Sequence, residues 1–482
     1  MLFNSIDFAL FFPIVFALYW GITNHHLKLQ NYLIVVASYF FYGWWNPYFL
    51  LLIIASTLTD YGIGLALNTT NETQKRKLLL WVSILINLGL LGFFKYFNFF
   101  IDNVNTAFTF LGVPIHISSL HIILPVGISF YTFQTLSYTI DVYRKKIEPT
   151  KDIVAFAAFV SFFPQLVAGP IERASHLLPQ FFKPRKFIYK NATDGLRQIL
   201  WGLFKKMVIA DNCAFFANQI FGNYEHLNGS SLVFGAFFFT FQIYGDFSGY
   251  SDIAIGTARL LGFDLKQNFA YPYFSRNIAE FWRRWHISLT TWFRDYVYIP
   301  LGGSYGNKWQ TVRNTFIIFL VSGFWHGANW TFILWGFLHA VCFLPLLLTN
   351  TNRKYLTTVA ENSKLPNATE LLQMLGTFIL VALFWIVFRA ENITDLFAYY
   401  SRMLSPSLIS VPDFDMRTNA VYLLGGIAFL IFVEWNGRRA LHPLQHIGVQ
   451  WNKPLRYAFY YTIIIAICWF SGAQQQFIYF DF

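Results

Sequence analysis

Charge is scarce in this chain. Only 12% of its 482 residues are Asp, Glu, Lys or Arg, about half the share of an average soluble protein. With 56% apolar and 21% aromatic residues, that scarcity excludes an ordinary soluble domain. Cysteine is scarce too: Cys213, Cys342 and Cys468 lie far apart in or beside apolar runs. They match no metal-ligand spacing and suggest no disulfide framework, so no metal site is expected. The alternating pattern of an outer-membrane barrel is missing. No repeat of fixed period and no long polar linker divides the chain, which reads as a single domain over 1–482. The start, MLFNSIDFALFFPIVF, has no basic leading region, so a first span is expected there rather than a cleavable signal peptide.

Long apolar runs are what the chain has instead. Crossing a bilayer takes roughly 20 residues, and at least nine windows qualify: 6–22, 31–46, 48–67, 78–101, 121–140, 314–348 (long enough for more than one pass), 371–388, 419–435 and 457–471. Only helices or closed barrels satisfy a backbone in lipid, so the fold is an all-α polytopic membrane protein.

The basic excess of +11 sits in short loops, where it signals membrane orientation rather than nucleic acid. Lys28, then Lys75, Arg76 and Lys77, then Arg144, Lys145, Lys146 and Lys151 alternate with connections that carry no Lys or Arg. That alternation places the N-terminus outside and these loops in the cytoplasm. Arg353, Lys354 and Lys364, and later Arg438, Arg439, Lys453 and Arg456, continue the pattern and place the C-terminal tail outside. Residues 152–313 resist such counting. Stretches such as LRQILWGLFKKMVIADNCAFF mix apolar and basic residues, as half-helices, re-entrant turns and interfacial helices do beside a protein-lined cavity.

Polar groups inside apolar sequence need a reason, since they are expensive in lipid. His326 stands in GFWHGANW, flanked by Gly323 and Gly327 and close to Trp325 and Asn329. The glycines permit close backbone approach. An imidazole withdrawn from water is neutral and able to take a proton from a hydroxyl or thiol; it can equally be a packing residue bonded to a carbonyl. In EFWRRWHISLTTWFRDYVYIPLGG (280–303), Glu280, Arg283, Arg284, His286, Arg294 and Asp295 are interleaved with aromatics. This is either a surface helix with snorkelling arginines or a basic cradle for an anionic substrate. In QIYGDFSGYSDIAIG (242–256), Asp246 and Asp252 read as structural polar groups, bonded to arginines, and Gly245 with Gly249 as a close helix contact.

Together these segments resemble the membrane-bound O-acyltransferase superfamily, and within it the bacterial alginate O-acetyltransferase branch. The resemblance rests on FWRRWHISLTTWFRDYVYIPLGG followed by FWHGANW, and on LPVGISFYTFQTLSYTIDVYR, AGPIER, YGDFSGYSDIAIG and the N-terminal MLFNSIDFALFFPIVFALYW. It implies a fold of roughly 9–13 transmembrane or re-entrant helices around a central funnel. It also implies that His326 is the catalytic histidine and His286 the second histidine of this branch. Arg283, Arg284, Arg294, Trp325 and Asn329 become candidate substrate contacts. The expected substrate is acetyl-CoA or an acyl-carrier thioester in the cytoplasm, with no further cofactor. The expected acceptor is an exported polysaccharide, reached through a serine-hydrolase-like acetyltransferase partner outside a bacterial inner membrane.

The tail 472–482 ends in QFIYFDF, which suits an aromatic interface anchor. It also resembles the C-terminal motif of the small membrane peptide of D-alanylation systems, whose tyrosine accepts an acyl group. Tyr479 matches that tyrosine. Eleven residues from Gly472 span at most about 35 Å, enough to reach the bilayer interior. On this reading His326 takes the phenolic proton and Tyr479 becomes a covalent acyl relay. Two rivals share these residues: D-alanyl transfer to teichoic acid, and transport or lipid flipping along the polar middle.

Overall fold

The apolar windows fold as helices, and their lengths and charges decide which can cross a membrane. The computed structural model describes all residues except 114, 472–474 and 479–482, with no strand among the described residues. Tyr479 therefore lies outside the described residues. The fold divides into two compact units, Met1–Gly195 with Ala254–Lys266, and Leu196–Ile253 with Gln267–Phe482.

The first unit contains α1 (Ile6–Gly21), α2 (Leu27–Gly43), α3 (Phe49–Thr69), α4 (Thr73–Leu91), α5 (Phe97–Phe110), α6 (Ile128–Tyr143), α7 (Ile153–Ser161), α8 (Phe163–Leu166) and α9 (Ala174–Leu177). Helices α4 and α5 run on through a π-helical turn, Gly92–Tyr96. The window at 121–140 becomes helical only from Ile128, because Gly127 turns the chain at φ +75°. A Cβ on Gly127 would lie 2.6 Å from the Leu166 carbonyl oxygen, so the turn requires glycine. Buried Asp60 of α3 accepts hydrogen bonds from Ser83 and Asn87 of α4 and Thr139 of α6, a polar seam that fixes three apolar helices to one another. At the edge of this unit His176 stands between Glu172 and Asp264. The two carboxylates hold its imidazole protonated up to about 9.

α10 (Tyr189–Leu203) and α12 (Gly229–Leu260) contribute to both units. The second unit also holds α11 (Asp211–Gly222), α13 (Ile278–Arg284), α14 (Ile287–Phe293), α15 (Lys308–His326), α16 (Trp330–Leu348), α17 (Ala368–Arg389), α18 (Ile393–Met403), α19 (Arg417–Gly437) and α20 (Lys453–Phe470). Among the described residues, five helical stretches are long and apolar enough to cross a membrane: α3, Thr73–Phe110, α16, α17 and α19. The other windows fold into helices that are shorter or carry more charge.

The middle of the chain does break into short helices, α13 and α14 among them, but α12 departs from that expectation. It continues for 32 residues through Gly245, Asp246, Gly249 and Asp252. Gly245 and Gly249 make the close contacts that the sequence suggested for them. A Cβ at Gly249 would meet the Gly202 carbonyl oxygen at 2.8 Å, and one at Gly245 the Lys205 carbonyl oxygen at 2.9 Å.

Candidate active site

His326 is placed by a helical hairpin in the second unit. Asn307 and Gln310 form a reciprocal capping box that starts α15, and Asn329 caps α16 by accepting from the Thr331 N–H at 3.1 Å. The two helices cross at glycines. A Cβ on Gly323 would lie 2.3 Å from the Phe332 carbonyl oxygen, and one on Gly336 2.4 Å from that of Phe319. Gly327 ends α15 where a Cβ would strike the Phe332 ring. His326, the last residue of α15, is 2% exposed. Its ring stands 4.9 Å from Trp325, 5.2 Å from Trp335 and 5.3 Å from Phe388, each at a steep angle.

His286 occupies the joint between α13 and α14. Its backbone is left-handed, φ +43°, a conformation that costs about 1–3 kcal/mol for a non-glycine residue and persists where the surroundings impose it. Asn268 Oδ1 accepts from the Ser288 backbone N–H (3.2 Å) and the Ser288 hydroxyl (2.8 Å). A backbone N–H can only donate, so this atom is an acceptor, and His286 Nδ1 must carry the proton it gives to Asn268 at 3.2 Å. Nε2 is thereby left as a lone-pair acceptor, with no partner among the described residues. Burial pushes the His286 imidazole down to about 3, so it is neutral at physiological pH. Its ring meets Phe247 at 4.6 Å and Trp325 at 6.1 Å. Trp325, itself buried, thus lies between the two histidines.

A third histidine joins them that sequence reading did not single out. His339 of α16 is fully buried and accepts from the Trp282 indole N–H at 3.2 Å, which leaves the proton on Nε2. That N–H and the indole N–H of Trp335 have no acceptor among the described residues, and the two rings are 4.7 Å apart. Nothing but apolar helix surrounds His339 in the sequence, so only the fold connects it to His326 through Trp335.

The candidate substrate contacts fall in different places. Arg283 donates to the carbonyls of Asn352 and Tyr355 at 2.7 Å each. Arg284 donates to Glu280 and to the carbonyls of Ala270 and Thr357. Both therefore pin the chain after α16. Arg294 is half-exposed and pairs with Asp295 at 2.7 Å. Asn329, besides capping, donates to the Glu391 carbonyl at 2.6 Å.

Asp246 and Asp252 are paired with lysines rather than the expected arginines. Lys205 reaches Asp252 at 2.6 Å, and Lys206 reaches Asp246 and Asp211 at 2.8 Å each. The reason is a π-helical turn, Phe204–Ala210, between α10 and α11; both of these neighbouring lysines are buried along α12. The same region receives the described part of the tail. Phe477 and Ile478 are buried, at 0% and 4% exposure, and the Phe477 ring lies 4.8 Å from Tyr250 and 5.9 Å from Phe247. Phe247 is the ring that touches His286. A cavity of about 810 Å³ opens nearby, lined by the polar Asp211, Asn212, Asn419, Thr462 and Gln475 among mostly apolar residues; neither His286 nor His326 lines it.

Comparison with known proteins agrees with the motifs. Residues 149–379, which include both His286 and His326, match the model of MBOAT, the membrane-bound O-acyltransferase family. The chain is 41% identical to the probable alginate O-acetylase AlgI of Pseudomonas putida, over all of both chains. It is 33% identical to the peptidoglycan O-acetyltransferase of Helicobacter pylori, covering 89% of this chain and 87% of that one. To the teichoic acid D-alanyltransferase of Streptococcus thermophilus it is 30% identical, over 45% of this chain and 55% of that one. With five candidate spans among its described residues and end-to-end relationship to acetylating enzymes, this all-helical chain belongs to the membrane-bound O-acyltransferase family and is a membrane O-acetyltransferase.

Proposed function

We propose that the enzyme takes an acetyl group from acetyl-CoA in the bacterial cytoplasm and passes it, through Tyr479, towards an exported polysaccharide outside the inner membrane. The observation that carries this reading is the buried tail. Phe477 sits one aromatic ring from His286, in the unit that also holds His326, and Tyr479 follows Ile478 directly in the chain.

The first step begins with His326 as general base. It takes the proton from the Tyr479 hydroxyl as the phenolic oxygen attacks the thioester carbonyl. The oxyanion that forms is stabilised by buried N–H donors; the indole of Trp335, beside His326 and without an acceptor among the described residues, is one candidate. The C–S bond then breaks, the proton on His326 goes to the departing CoA thiolate, and an acetyl ester remains on Tyr479. In the second step a hydroxyl of the acceptor, or of a serine-hydrolase-like partner outside, attacks that ester and regenerates the phenol. His286, neutral with Nε2 open as a base, serves this return step. Of the arginines, half-exposed Arg294 is the one suited to an anionic donor; Arg283 and Arg284 hold the chain after α16. Alginate and peptidoglycan, the acceptors in the relatives' names, are the leading polysaccharide classes.

Incubation of purified enzyme with acetyl-CoA should add one acetyl group to the C-terminal peptide, seen by mass spectrometry, and Tyr479→Phe should abolish it along with polysaccharide acetylation. An active enzyme with no acetylated tail, and full activity of Tyr479→Phe, would discard the relay. D-alanyl transfer ranks below acetyl transfer because its relatives match less than half of the chain. Labelled acetyl-CoA against a D-alanyl carrier thioester separates the two, and turnover of either by purified protein separates both from transport.

A further inference from the structure

Lys206 is a buried ammonium that pairs by charge with Asp211 and Asp246 at 2.8 Å each. It donates a hydrogen bond to the backbone carbonyl of Gln475 at 3.3 Å, a residue of the tail. Asp246 is used at both oxygens: Oδ1 faces Lys206, and Oδ2 accepts the backbone N–H of Ile478 at 2.8 Å. Lys206 and Asp246 are each 2% exposed. Without the tail, one buried donor and one buried acceptor would lose their partners together, a situation that folded proteins avoid.

We infer that Lys206 and Asp246 form a clamp that reads the tail's backbone and fixes its register, while Tyr250 and Phe247 provide the pocket for Phe477. The clamp grips a carbonyl and an N–H three residues apart, at 475 and 478, and the Phe477 pocket between them fixes which residues those are. The pocket supplies the selectivity, since Phe477 is enclosed completely whereas Gln476 beside it is exposed. Lys206 and Asp246 are positioning residues: they set where the residue after Ile478 begins and take no part in bond making. The assignment rests on the tail reading above but is tested separately from it.

Residue-resolved amide hydrogen exchange on the intact wild-type enzyme, without substrate, should show the Ile478 amide protected at least tenfold over a free peptide. Two variants should remove that protection. Asp246→Leu deletes the acceptor yet leaves Lys206 balanced by Asp211; Phe477→Ala changes only the tail. In both, exchange at Ile478 should rise tenfold or more, while the α15–α16 hairpin keeps its wild-type rates. An unprotected Ile478 amide in wild type, or a change under twofold in either variant, would overturn the clamp. Acetylation of Tyr479, read by mass spectrometry on the same wild-type enzyme, reports on the relay independently. A protected Ile478 beside an unacetylated Tyr479 would refute the relay and leave the clamp standing.

Discussion

At the residue scale the two histidines differ in what can be asked of them. His326 is proposed as the base, and general-base catalysis typically contributes roughly 10²–10⁴-fold. His326→Ala should therefore reduce CoA release from acetyl-CoA by at least about a hundredfold. His286 makes a different prediction through pH. Its imidazole is held down to about 3 by burial, from an ordinary 6.5. Between those values the unfolded chain binds a proton that the native state refuses, so this residue makes stability rise with pH from about 3 to 6.5 and adds no further dependence above. Thermal melts from pH 4 to 8 should show a shallower acid-side decline for His286→Phe than for wild type. The FWHGANW and RRWH motifs announced both positions in the sequence. The tautomer of His286 was not legible there, because Asn268 reaches it from eighteen residues upstream through an irregular segment.

At the scale of elements the hairpin α15–α16 was the most legible part of the site. Gly323 and Gly327 indicated close approach, and the window 314–348 was too long for one pass. Gly323→Leu should force the helices apart, since even a Cβ would lie 2.3 Å from the Phe332 carbonyl oxygen. A loss of about 1–3 kcal/mol or more in stability is expected for such overpacking, with a larger fall in activity as His326 is displaced; denaturation in mild detergent and an acetyl-transfer assay would check both. In helix α12 the close contacts of Gly245 and Gly249 were legible, but its unbroken length and the Lys205 and Lys206 partners of its aspartates were not. Those partners depend on a π-helical turn, and nothing in a 3.6-residue periodicity announces one. The arginine-rich stretch misled in the opposite direction. Arg283 and Arg284 look available in sequence, yet their donors go to backbone carbonyls between Ala270 and Thr357 and to the Glu280 carboxylate.

At the scale of the whole molecule, charge carries the orientation. The basic loops are expected on the cytoplasmic side, so a cysteine at Ser118 should react with an impermeant maleimide in spheroplasts and one at Lys146 should not, after Cys213, Cys342 and Cys468 are replaced by serine. Both positions are exposed and lie on either side of α6. Labelling of Lys146→Cys alone would invert the assignment of the N-terminus.

The tail seated in the second unit is part of the same polypeptide as the site that receives it. Joining ligand and receptor by a short stretch of chain gives the ligand a local concentration of roughly millimolar. A soluble peptide ending in the same residues, or a small molecule shaped to the Phe477 pocket, must displace an occupant that never diffuses away. Compounds selected against this surface will therefore look much weaker on the intact enzyme than on a form whose C-terminal residues have been removed.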